Sequence, residues 1–282
     1  MDSPDESRAT PTELLDVAVA LAQGAGEVVR ARIGEARGAA GSATVSVKST
    51  PTDLVTEVDR ATEEWLLAQL RDRRPDDAVL GEEGGATEGS SGVRWLLDPI
   101  DGTVNFVLGL PDYAVSVAAE VDGVVVAGAV FAPATGALYR ASLGGGAFLR
   151  EAGSDEIRLH GPRGVPLERA VLGTGFGYDP ARRSAQAAVV AKLIDRIADI
   201  RRIGAASLDL CAVAAGRLDG YFEVGLNPWD WGAGLLVAQE AGALVSGLRG
   251  RAPGGLMTAV AGPSCAADLF AVLEELDADA VG

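Results

Sequence analysis

Trp95-Leu96-Leu97-Asp98-Pro99-Ile100-Asp101-Gly102-Thr103-Val104-Asn105-Phe106 sets two carboxylates and a Gly-Thr pair between apolar runs. Residues 94–97 read as a strand. Pro99 cannot donate to a ladder and biases the residue before it towards extended geometry, which predicts Asp98 at the strand's end. Alone, the segment could be a turn with aspartates at favoured positions. Its apolar flanks weigh against that reading, because unpaired negative charge is costly to bury, whereas a divalent cation shared between carboxylates makes the same arrangement a site. Gly102 and Thr103 add backbone N–H groups and a hydroxyl suited to a phosphate oxygen or an ordered water. A metal-assisted phosphoryl site is the resulting hypothesis.

Composition narrows the cation. The 282-residue chain has 24 Lys plus Arg against 40 Asp plus Glu, a net charge of −16. Nothing is left over to neutralise a nucleic-acid backbone, so no nucleic-acid partner is expected. An acidic protein holds anionic substrates only where bound cations invert the local field. His160 is the one histidine, and Cys211 and Cys265 are the two cysteines. That set excludes a His/Cys zinc site and leaves a Ser-His-Asp triad only His160, which sits in a polar stretch and reads as a surface residue. Both cysteines read as packing residues in a reducing compartment. Carboxylates are plentiful, so a hard, oxygen-liganded ion is expected, magnesium first. The longest apolar stretch, residues 124–132, is far short of the roughly 20 residues that cross a bilayer. The first seven residues carry acid and proline where a signal peptide would carry positive charge. The expectation is a cytoplasmic protein with no membrane span.

Working outward, Thr10-Pro11-Thr12-Glu13 combines a capping box with proline at the first helical position and predicts a helix through residue 33. A short strand is expected at 45–48, a helix at 59–73 and a strand ending in the loop Gly81-Glu82-Glu83. Beyond the central segment, β-rich runs at 113–121 and 123–131 flank Asp122-Gly123, a strong hairpin signal. Gly144-Gly145-Gly146 reads as a turn. The second half alternates: strand 170–174, helices 183–200 and 207–215, strand 220–224, helix 229–241, strand 243–246. The fold class is therefore α+β in the first half and α/β in the second, two lobes in one compact unit. A flexible tail is expected over residues 1–9 and a single domain over 10–282, its lobes meeting near residue 160.

The other carboxylates have ordinary readings as well. Asp59 and Asp230 could each cap a helix, and Glu82-Glu83 could be a solvated loop pair. Their order, however, is familiar. The central segment resembles the hallmark of the inositol monophosphatase family of magnesium-dependent, lithium-sensitive phosphatases. Lys48-Ser49-Thr50-Pro51-Thr52-Asp53-Leu54-Val55-Thr56-Glu57-Val58-Asp59 is similar to that family's N-terminal motif and Gly81-Glu82-Glu83 to its metal-ligand loop. Trp229-Asp230 with Glu240-Ala241-Gly242 resembles its C-terminal motif. Residues 204–216 and Tyr221-Phe222-Glu223 match its substrate-side region, and Gly173-Thr174-Gly175-Phe176-Gly177-Tyr178 is similar to bacterial members. Together these cover most of the chain.

The resemblance implies a layered αβαβα sandwich of the sugar-phosphatase type. It also implies Mg2+ as cofactor, two or three ions per site. Glu82, Asp98 and the carbonyl of Ile100 would hold one ion, and Asp98, Asp101 and Asp230 a second. Thr103, oriented by Asp59, and Glu82 would position and deprotonate the attacking water. Gly102 and Thr103 would bind phosphate, while Asp101, Gly204, Ala205, Ala206, Glu223 and Asp230 would face the substrate; Lys48 would lie near the metal loop. The implied reaction is hydrolysis of inositol 1-phosphate to inositol and phosphate by a homodimer, with a small polyol or sugar phosphate as the class of partner.

Val104 and Leu108 depart from the family's usual threonine and polar residue, and Ala205 replaces a threonine or serine beside the substrate, which leaves the polyol open. Fructose bisphosphate, histidinol phosphate or a 3′-phosphorylated nucleotide are alternative substrates on the same metal frame. The aspartyl-phosphate phosphatases need aspartates at i and i+2, whereas Asp98 and Asp101 stand at i and i+3. A non-catalytic regulatory protein on the same fold is the reading from a different class.

Overall fold

A computed structural model describes residues 9–36, 45–47 and 54–280. Residues 1–8 of the expected tail, and residues 48–53 with Lys48, lie outside that set. Helix α1 (Pro11–Ala36) begins at the capping box, where Thr10 N donates to Glu13 Oε2 at 2.8 Å and Glu13 N to Thr10 Oγ1 at 3.3 Å. The antiparallel ribbon β1 (Val45–Val47) and β2 (Leu54–Thr56) leads to α2 (Glu57–Arg73).

The chain then builds β3 (Ala78–Gly81), β4 (Gly85–Thr87), β5 (Val93–Asp101), the short helix α3 (Thr103–Leu108), β6 (Ala114–Val121), β7 (Val124–Ala132), β8 (Ala137–Ser142), β9 (Gly146–Arg150) and β10 (Ile157–Arg158). These strands form one sheet in the order β10-β9-β8-β7-β6-β5-β3-β4, with β3 parallel to β5 and the other neighbours antiparallel. Asp122 and Gly123 turn between β6 and β7 at φ 51° and 81°, the backbone a two-residue hairpin requires.

The second sheet follows from β11 (Val171–Thr174), α4 (Pro180–Leu193), β12 (Asp199–Arg201), α5 (Ala206–Ala214), β13 (Gly220–Glu223), α6 (Pro228–Glu240), β14 (Leu244–Ser246), β15 (Thr258–Ala261) and α7 (Ala266–Glu275). Its order is β12-β11-β13-β15-β14.

Three buried cores separate five layers. Leu14, Leu21, Leu66 and Leu70 of α1 and α2 pack on Trp95, Leu97 and Val117 of the large sheet. The opposite face of that sheet, including Leu96 and Ala118, meets α5 and α6, which also cover Tyr221 and Val260 of the small sheet. Leu172, Phe222 and Ala261 on the far face of the small sheet pack against Val189 of α4 and Leu269 of α7. The result is the αβαβα sandwich. Strand β5 is covered on both faces, which is why its sequence reads as a continuous apolar run and does not alternate.

Two expectations need correction. Asp98 is not the end of its strand: β5 runs on to Asp101, with Asp98 opposite Ser116 and Asp101 opposite Ala114. The extra residue on β5 makes a bulge at Pro99, the position that cannot donate to a ladder. The helix expected over 183–200 stops at Leu193, after which a short 3-10 turn (Ile194–Arg196) leads into β12, parallel to β11. Ile197 is buried and Ala198 N donates to Ala170 O, so pairing at the sheet edge outweighs the local helical pattern.

Candidate active site

A cleft of about 320 Å³ opens between the end of β5, the loop after β3 and the first turns of α5 and α6. Glu82, Asp98, Ile100, Asp101, Gly102, Thr103, Gly204, Ala205, Ala206, Glu223 and Asp230 all line it. Asp59 lies behind them, buried in the first turn of α2, and is reached through Thr103. Two acceptors approach the Thr103 hydroxyl: Asp59 Oδ1 at 3.2 Å and the Ile100 carbonyl at 3.0 Å. One hydroxyl proton serves one of them, and donation to Asp59 leaves the Ile100 oxygen open towards the cleft.

The bulge in β5 turns Asp98 and Asp101 to the same cleft. Asp98 is almost wholly buried, and its Oδ1 accepts the Ile100 amide at 3.0 Å. Asp101 spans the cleft: Oδ1 accepts Ala206 N at 3.2 Å, and Oδ2 accepts Ser207 N at 2.7 Å and Ser207 Oγ at 2.5 Å. Helix α5 starts after Ala205, whose side chain cannot cap it, and the Asp101 carboxylate serves its exposed amides from another layer. Asp230 stands in the first turn of α6 and accepts Asn227 N at 2.6 Å: the N-cap is Asn227, and Asp230 closes its capping box from inside the helix and is not the cap itself. Gly102 adopts φ 88°, and a Cβ there would come within 2.9 Å of Asp112 O; only glycine lets the chain turn from β5 into α3 at this point.

The carboxylates are near enough to disturb one another. Burial pushes Asp98 well above the ordinary carboxylate range, and the charges of Glu82, Asp101 and Asp230 and a hydrogen bond with Glu82 push it further. Asp101 is pushed up to about 6, chiefly by burial, against the hydrogen bonds from Ser207. Asp230 is also raised well above its usual value, first by burial and then by Asp101 and Glu82, against the Asn227 hydrogen bond. Four carboxylates from three elements, converging in a cleft, fit a divalent, oxygen-liganded cation that would relieve their repulsion. Among the described residues no three acidic groups stand together as a preassembled ligand cluster; Asp101 and Asp230 are drawn to the backbone amides of α5 and α6.

The structure adds residues that sequence reasoning passed over. Glu63, one turn after Asp59 on α2 and 2% exposed, accepts Glu83 N at 2.8 Å and Gly84 N, and so holds the loop that carries Glu82. The sequence signal was an acid on the same helical stripe as Val58, Thr62, Leu66 and Leu70. Asp209, inside the apolar run of α5, lines the cleft, and its Oδ1 has no hydrogen-bond partner among the described residues. Burial first and the Glu223 charge second push it up to about 9. Glu223 accepts the Tyr221 hydroxyl, and burial raises it to about 7. Arg182 and Arg202 also line the cleft.

A larger hollow of about 540 Å³, bounded by Tyr139, Ile203 and Ala212, lacks such chemistry. Its arginines are already paired, Arg217 with Glu151 at 2.6 Å and Arg201 with Asp199 at 2.5 Å.

Comparison with known proteins finds relatives along most of the chain. An inositol-1-monophosphatase of Mycobacterium leprae is 47% identical, over 98% of each chain. A protein of Pasteurella multocida named Nus factor SuhB is 42% identical over 84% of this chain and 86% of its own. The solved structure of Mycobacterium tuberculosis SuhB superposes with a TM-score of 0.81 at 44% identity, covering 95% of this chain and 98% of that one. The sequence model of the inositol monophosphatase family matches residues 10–278, and the chain belongs to that family, a family of phosphatases.

Proposed function

We propose that the protein hydrolyses inositol 1-phosphate to inositol and inorganic phosphate with Mg2+ as cofactor, two or three ions per site. The convergence of Glu82, Asp98, Asp101 and Asp230 on one cleft carries this reading, because such a set is unstable without cations and matches the needs of phosphoryl transfer. Glu82, Asp98 and the Ile100 carbonyl would hold one ion, and Asp98, Asp101 and Asp230 a second. When bound, the ions supply Lewis-acid stabilisation of phosphate charge and a water of lowered pKa.

The protein's own groups then have distinct tasks. Thr103, donating its proton to Asp59, presents oxygen lone pairs to the attacking water, and the Glu82 carboxylate takes up a proton from it. The amides of Gly102 and Thr103 face the phosphate oxygens. Glu223 and the turn Gly204-Ala205-Ala206 bound the space for the polyol. Relatives named inositol-1-monophosphatase support this substrate. The reading includes a cytoplasmic homodimer, organised as one domain from residue 10 with lobes meeting near residue 160.

The relatives named Nus factor favour a second reading, a regulatory protein on the same fold. Phosphate release from inositol 1-phosphate, with and without Mg2+ and Li+, separates the two. The wild type should release phosphate only with Mg2+, Li+ should inhibit, and Asp98→Asn should lower kcat by at least about 10³-fold while remaining folded. A folded wild type with no Mg2+-dependent release would favour the regulatory reading.

A further inference from the structure

We propose that Asn105 is a positioning residue: from behind the cleft it sets the spacing between Gly102-Thr103, the turn that would bind phosphate, and Gly204-Ala205-Ala206, the turn that would face the polyol. The role rests on the phosphatase reading and adds to it a residue that neither touches the substrate nor holds a cation.

Asn105 is buried in the short helix α3, and Phe106 N donates to Gly102 O at 3.0 Å, which ties that helix to the Gly102-Thr103 turn. The Asn105 side-chain Nδ2 donates twice, to Asp112 O at 2.7 Å and to Ile203 O at 2.9 Å. Two carbonyl acceptors require the N–H end of the amide, and both of its hydrogens are used. One bond stays within the loop that follows α3. The other crosses 98 positions to the residue before Gly204.

The two turns meet where these bonds are made. A Cβ on Gly102 would lie 2.9 Å from Asp112 O, 3.1 Å from Ala205 Cβ and 3.2 Å from Gly204 O. A Cβ on Gly204 would lie 3.0 Å from Asn105 Nδ2. Gly102 and Gly204 adopt φ 88° and 93°, a region that other residues rarely take. Glycine at both positions thus lets the turns come into contact with the Asn105 amide seated against them.

Other side chains hold the start of α5 as well. Asp101 accepts the Ala206 and Ser207 amides, and Asp209 accepts the Gly204 amide. Asn105 differs in reaching both sides, the carbonyl packed against Gly102 and the carbonyl that precedes Gly204. It is neutral and stands outside the proposed metal set. Gly102, Thr103, Gly204, Ala205 and Ala206 line the cleft in front of it. In-line displacement needs the phosphorus and the leaving oxygen held in one alignment, and a misplacement of about 1 Å costs up to about 10²-fold in rate. The distance between the two turns sets that alignment for an ester whose leaving group is a polyol.

Inositol 1-phosphate and p-nitrophenyl phosphate, which has no polyol to orient, make the test with saturating Mg2+. Asn105→Ala removes the donor and leaves a cavity, whereas Asn105→Leu removes the donor and keeps the volume. In both, the ratio of kcat/KM, inositol ester over nitrophenyl ester, should fall about tenfold, mostly through kcat, with half-saturating Mg2+ changed less than about threefold. Hydrogen exchange at the Gly204, Ala206 and Ser207 amides should quicken about tenfold, while β6 and β7 keep their wild-type protection. A ratio unchanged in both variants, or restored by leucine, would overturn the positioning role and leave the phosphatase reading standing. Failure of the wild type on both esters would end the phosphatase reading. If it fails on either ester, exchange decides the role of Asn105: quickening at those three amides retains it, and unchanged exchange removes it. Two variants that do not fold would make Asn105 a residue of the fold and would overturn the role as well.

Discussion

Asp209 is a carboxyl group 1% exposed, in the first turn of α5, with Oδ1 unsatisfied among the described residues. Burial and the neighbouring Glu223 and Asp101 raise its pKa to about 9, against a hydrogen bond from the Gly204 backbone and the Arg202 charge. The linkage has a definite sign. The native state holds a proton that the unfolded chain gives up near pH 4, so the native state is at no disadvantage below that value. It loses stability steadily as pH rises towards 9. Asp209→Asn removes the ionisation. In chelator, its Tm advantage over wild type should therefore widen by at least about 3 °C between pH 6 and pH 8. A Tm difference that is the same at both pH values would contradict a protonated Asp209.

Among the elements, α2 and the β3–β4 loop show how the catalytic geometry depends on contacts that local pattern cannot reveal. Glu63 accepts two consecutive loop amides, and Gly81 and Gly84 lie so close that a Cβ on either would meet Glu63 Oε1 at 2.7 and 2.6 Å. Glutamine at 63 would keep the volume but turn an N–H group towards an amide donor. Glu63→Gln should raise the Mg2+ concentration for half-maximal phosphate release about tenfold, with KM for substrate changed less than threefold. An unaltered Mg2+ dependence would remove Glu63 from the support of Glu82. The legible parts were those that local chemistry decides: the Thr10–Glu13 box, the Asp122-Gly123 hairpin, and the Asp98–Thr103 carboxylates in apolar flanks. Asp101 satisfying α5 across roughly a hundred residues, the edge strand at Asp199–Arg201 and the placement of Arg182 and Arg202 on the cleft arise from layer packing, which periodicity does not encode.

For the molecule as a whole, acidity and site chemistry act on the same balance. Net charge of −16 strains the folded state by self-repulsion, and part of that repulsion lies where Glu82, Asp98, Asp101 and Asp230 line one cleft. The site carboxylates are contributed by the loop after β3, by β5 and by α6, so a cation held there would join elements from different layers, not only neighbours in one strand. Because an unfolded chain does not gather these four groups, binding would stabilise the native state by mass action, by about 2.7 kcal/mol when the free ion is a hundredfold above Kd. For a protein of this size that is a Tm rise on the order of 5–10 °C. Ionic screening alone would also raise Tm, so the comparison is Mg2+ against Na+ at matched ionic strength. Mg2+ should give the larger rise in wild type, and Asp98→Asn, which removes the proposed shared ligand, should bring the two salts to nearly the same Tm. A wild type that responds equally to both salts would mean that its stability registers diffuse charge and that the converged carboxylates hold no ion.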